Sequence, residues 1–138
     1  MIRPASLAIE QAFKEREINY RITEISESSV VEAGFTLEEG ASFLVRFVSR
    51  DGDNDVGIRV FDLIKVKDGQ QDIALQTLNQ LNREYRFVRF YLHSSGSVHA
   101  ASDLYVCTDN VGEMAVEAFA RFRQVIKKAY PMLVKALA

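Results

Sequence analysis

Apolar and polar positions change period several times along the chain, and each change marks an element. Residues 4–18 recur at helical spacing, with Ala5, Ile9, Ala12, Phe13 and the stem of Arg16 near one face. Pro4 suits the first turn of such a helix, where a missing N–H costs nothing. Asn19 ends the pattern, and residues 20–25 begin the alternation of a strand. From Val30 to Val66 the period stays near two. Phe43, Val45 and Phe47 alternate with Leu44, Arg46 and Val48, and Val56, Ile58 and Val60 alternate with Gly57, Arg59 and Phe61. Turns are expected at Glu38-Glu39-Gly40 and Asp51-Gly52-Asp53-Asn54, since Gly and Asn tolerate positive φ. Arg46 and Arg59 point to an antiparallel meander with one wet face.

Asp68-Gly69-Gln70-Gln71 breaks the sheet pattern and offers a capped helix start, with Asp68 as acceptor for the N–H near Gln71. Ala74, Leu78, Leu81 and Tyr85 follow at helical spacing. Residues 87–92 return to strand, Ser94-Ser95-Gly96-Ser97 reads as a hairpin loop, and a second strand runs from Val98 to Cys107. A last helix is expected from Asn110, with Glu113 completing a capping box and Ala115, Phe119, Phe122, Ile126, Ala129 and Leu133 forming one broad stripe. Pro131 should kink or end it near Tyr130. The expected order is α-β-β-β-β-α-β-β-α, an α+β domain spanning residues 1–138 with helices packed on an antiparallel sheet.

Composition adds mostly exclusions. The 138 residues are 48% hydrophobic and 26% charged, an ordinary globular mixture long enough to bury a core. A formal net charge of −2 supplies no overall positive field for nucleic acid or anionic lipid. Cys107 is the only cysteine, which removes an intrachain disulfide and a four-thiolate metal site, and its setting suggests a buried strand end. No apolar run reaches the roughly 18 residues of a membrane span, and the N-terminus lacks a signal-peptide core, so a cytoplasmic location is expected.

Candidate chemistry is sparse. The aspartates at 51, 53 and 55 resemble the start of a calcium loop, but Val56 stands where that loop needs Gly, and strands flank it; a hairpin turn is the better reading. His93 and His99 bracket the glycine loop and are placed to face each other across the hairpin. With only Asp103 as a third group they make an incomplete zinc site. There is no G-x-S-x-G, G-x-G-x-x-G or G-x-x-x-x-G-K-[ST]. No catalytic residue, cofactor or metal is therefore expected. Glu24, Glu27, Glu32, Glu38 and Glu39 fall in a stretch without a basic residue, while Arg121, Arg123, Lys127, Lys128 and Lys135 gather on the last helix. A solvated face and a helix C-terminus matched to its dipole account for the basic group; a patch for RNA or an acidic partner is the alternative.

The segment LNQLNREYRFVRFYL at 78–92, followed by Gly96-Ser97-Val98 and Ser102-Asp103-Leu104, resembles the signature of the bacterial YbjN-like family. The resemblance implies a fold like that of class I type III secretion chaperones. That fold commonly dimerises and binds extended segments of a partner chain, and family members carry the description of sensory transduction regulators. It supplies no catalytic residues. Period-two alternation over 87–92 puts Val88, Phe90 and Leu92 on one face and Phe87, Arg89 and Tyr91 on the other. Aromatics and arginine are what interfaces enrich, so Phe87, Arg89 and Tyr91 form the candidate partner or dimer surface, unless the last helix covers them. The sequence thus leads to a non-enzymatic, homodimeric protein-binding module, chaperone-like or regulatory, with a client or regulatory protein as partner. A sensory domain for a small molecule or nucleotide is the alternative.

Overall fold

A computed structural model describes residues 2–50, 55–106 and 110–137. The elements follow the expected order: α1 Pro4–Glu15, β1 Arg21–Ile25, β2 Ser28–Thr36, β3 Ser42–Arg50, β4 Asp55–Lys65, α2 Gln71–Glu84, β5 Arg89–Leu92, β6 Ser97–Tyr105 and α3 Val111–Leu137. The strands form one antiparallel sheet in the order β1-β2-β3-β4-β6-β5. The aspartate turn and Cys107 lie outside the described residues.

Alternation divides the sheet residues between two faces. Val31, Phe35, Phe43, Val45, Phe47, Val56, Ile58, Val60, Val98 and Ala100 point to one side and are buried there against α1, α2 and α3. Phe13 sits at the centre of this layer, edge-on to Phe47 with centroids 5.5 Å apart and tilted against Phe119 at 6.0 Å. Polar groups on this side are satisfied internally: the Ser6 hydroxyl donates to that of Ser49, and the Ser29 hydroxyl donates to that of Ser6. Helices α1 and α3 cross closely at Gly112, where an added Cβ would stand 2.6 Å from the Ala8 carbonyl oxygen.

The structure adds detail at three helix ends. Asp68 does not cap α2; Gly69 N–H instead donates to Gln71 Oε1, and Gln70 occupies the N-cap position without a side-chain capping bond. Glu113 in the first turn of α3 also reaches across to Arg16 at the end of α1 and forms an interhelical ion pair. Pro131 does not end α3, which continues to Leu137. Pro131 and Lys127, whose carbonyl loses its partner, lie on the exposed side of the helix, where water can satisfy that oxygen.

Candidate functional site, the uncovered face of the sheet

The other face of the sheet carries no helix among the described residues. The cross-strand register arranges its side chains in rows. Arg21 pairs with Glu32, Glu32 with Arg46, Arg46 with Arg59, Arg59 with Ala101, and Ala101 with Arg89. One line of residues therefore crosses all six strands and contains four arginines. Two carboxylates are set among them. Glu32, only 6% exposed, is held between Arg21 at 2.7 Å and Arg46 at 3.3 Å. Asp103 lies between Arg59 at 3.2 Å and Arg89 at 3.6 Å. Arg59 also donates to the backbone carbonyls of Ser102 and Ile58, and its guanidinium lies over Gly57, where a Cβ would come within 3.4 Å of it. The acidic stretch of the sequence is thus not uniformly solvated: Glu32 is buried and compensated.

Beside the arginine line lies an apolar and aromatic row of Leu44, Phe61, His99 and Tyr91. Leu44 and Phe61 are 42% and 41% exposed. The Arg46 guanidinium sits 5.4 Å from the Phe61 ring centroid, and His99 is edge-on to Phe61 at 5.0 Å and to Tyr91 at 5.5 Å. Gly34, Thr36, Ser42, Leu44, Arg46 and Phe61 border a shallow cavity of about 640 Å³ at one end of this row.

A bulge in β4 positions His99. Val60 pairs with Ala100 and Ile64 with Val98, so three β4 residues stand opposite one β6 residue. Asp62, at φ 57°, leaves the ladder, and its N–H donates to His99 Nδ1 at 3.0 Å. That bond places the proton of the neutral ring on Nε2. The rings of His93 and His99 do meet across the hairpin, with centroids 4.7 Å apart. Asp103 does not join them, being held in the arginine pairs; the carboxylate near His99 is that of Asp62, at 4.0 Å. Among the described residues, no three His, Cys, Asp or Glu side chains come together as a metal site.

The three residues singled out on the β5 motif are divided. Arg89 and Tyr91 lie on the uncovered face, paired across from Ala101 and His99. Phe87 does not share it. The strand begins only at Arg89, and Phe87 has φ 77°, which breaks the alternation and turns its ring towards α3, 6.0 Å from Phe122. There it borders a groove of about 620 Å³ with Leu104, Met114, Ala118, Glu113, Glu117 and Arg121. So α3 meets Phe87 alone and leaves Arg89 and Tyr91 uncovered.

Sequence reasoning missed the role of Asn82. Its side-chain amide accepts from Phe90 N–H at 2.7 Å and donates to Phe90 C=O at 3.0 Å. β5 is an edge strand, and this amide occupies the outward-facing backbone groups at its middle, as a neighbouring strand would. The signature motif thus carries its own edge protection.

The architecture defines a class: an α+β domain with one face closed by helices and the other open, cationic and aromatic. A family model described as "Putative bacterial sensory transduction regulator", the YbjN family, matches residues 8–133. The chain belongs to that family. No curated protein matches it.

Proposed function

We propose that this protein is a non-enzymatic regulatory adaptor that works in the cytoplasm as a homodimer and binds a protein partner on the open face of its sheet. The observation that carries the reading is the uncovered row of Leu44, Phe61 and Tyr91 beside paired arginines. Exposed apolar and aromatic side chains rimmed by charge are the composition of a protein-recognition surface. Family membership supports a regulatory role. The edge of β5 is closed by Asn82, so the reading places capture on the face rather than at that edge.

Phe87 supports the dimer. Its groove carries acidic Glu113 and Glu117 beside basic Arg121, a mixture of signs that can complement itself about a two-fold axis. Light scattering behind size exclusion tests this. A dimer that becomes a monomer on Phe87→Asp is expected, and a strict monomer at high protein concentration would remove the dimer from the reading.

A second reading, a sensory domain for a small molecule or nucleotide, is favoured by the cavity over Gly34. Its signature would be one metabolite raising the melting temperature strongly, with the rise lost in Phe61→Ser.

A further inference from the structure

We propose that the occupant of the open face is an acidic amphipathic helix of a partner protein; this rests on the protein-binding reading above and specifies its partner. Four guanidiniums, of Arg21, Arg46, Arg59 and Arg89, share two carboxylates, of Glu32 and Asp103. Two positive charges are left uncompensated in this line, on a chain whose net charge is −2. Farther along the same face Asp55, opposite Tyr105, is offset by Arg50 on the neighbouring strand, and Asp62 stands at the margin, beyond Phe61 and against His99. The face is a local cationic strip on an acidic protein, and charge complementarity selects a partner of the opposite sign.

The same charge disfavours a second copy here. A two-fold contact sets one patch against itself, and two strips with surplus positive charge would repel.

The spacing of the rows specifies the form. Neighbouring strands lie about 4.8 Å apart, so the arginine line crosses the sheet over about 24 Å, and the aromatic row runs about 7 Å to one side of it. On a helix, residues three and four apart stand about 5–6 Å from each other along one stripe. A helix lying across the strands with glutamates in one stripe and leucine or phenylalanine in the next therefore meets both rows at once. Its carboxylates would join pairs that are already formed, adding acceptors to guanidiniums that Glu32 and Asp103 hold in place. Its apolar stripe would cover Leu44 and Phe61.

Fluorescence anisotropy tests this with the full chain and a labelled helical peptide that has a glutamate stripe beside a leucine and phenylalanine stripe. Saturable binding is expected, weakening as salt rises. Charge reversal at Arg46 or Arg89 should lower affinity by about tenfold or more. Phe61→Ser should lower it comparably, while Lys128→Glu on the far side of α3 should leave it unchanged. Circular dichroism of each variant checks that the fold persists. Equal binding of a peptide with glutamine in place of glutamate would overturn the acidic partner yet leave the protein-binding reading intact. Equal or tighter binding of a polyuridine RNA would overturn the proposal in favour of a nucleic-acid face. Loss of self-association on Phe61→Ser, with no peptide bound by the native protein, would overturn it in favour of a second copy.

Discussion

The two faces of the sheet use the same alternating strands for opposite purposes. On the helix side, each strand presents Val, Ile or Phe to three helices, and close packing decides what is tolerated. On the open side, the intervening residues are Arg21, Arg46, Arg59 and Arg89 with Glu32 and Asp103 between them, and neutralisation decides. The lesson is that a one-residue offset along a strand separates the stabilising surface from the recognising one. Substitutions on the helix side should therefore cost stability and spare recognition, and those on the open side the reverse.

The largest effect is expected deep in the helix side. Phe122→Ala empties a fully buried site and removes the ring that Phe87 meets; about 3–5 kcal/mol of stability should be lost in urea unfolding. Gly112→Ala should come next, at about 1–3 kcal/mol, because its Cβ would collide with the Ala8 carbonyl and force α1 from α3. A thermal melt at or above the native value would break the claim of a tight crossing there.

At the boundary between the faces, Asn82→Ala leaves the Phe90 backbone unpaired at the sheet edge. A loss of about 1–2 kcal/mol is expected, together with concentration-dependent association through β5. Asn82→Asp sharpens the point, since it keeps the acceptor for Phe90 N–H while setting a carboxylate against Phe90 C=O. On the open side, Phe61→Ser should cost only about 1 kcal/mol, since its ring is partly exposed and rests on Arg46 and His99. Its measurable consequence should be lost partner binding.

The smallest effect concerns pH. Partial burial, reinforced by a hydrogen bond to Glu10, raises the Tyr20 hydroxyl above its ordinary value of 10.0. The folded chain then holds this proton more tightly than the unfolded chain. Its contribution to stability is complete below pH 10 and is lost as pH rises through the raised folded value. Tyr20→Phe should flatten that alkaline decline in unfolding midpoints followed from pH ~8 to ~11.

Most of the fold was legible because hydrophobic period is a local property. Phe43, Val45 and Phe47 announce β3, and Ala74, Leu78 and Leu81 announce α2, without knowledge of their neighbours. The wet face was legible as well, from Arg46 and Arg59. The candidate surface on the β5 motif was legible only in part. Alternation placed Arg89 and Tyr91 together, but it carried Phe87 with them because period two assumes unbroken strand geometry, which φ 77° at Phe87 ends. Asn82 gave no signal, since a polar residue near a helix end is ordinary until the strand that it protects has folded beside it.

The sequence by itself determined which elements form, their order, and which residues of each strand share a face, because these follow from periods of 3.6 and 2 along one stretch of chain. Only the tertiary structure decided that Arg21, Glu32, Arg46, Arg59 and Arg89 fall into one line. Strand register depends on how many residues each hairpin turn takes up and on where β6, arriving after α2 and β5, enters between β4 and β5. No local pattern encodes that alignment, and the cationic, aromatic face exists only once it is made.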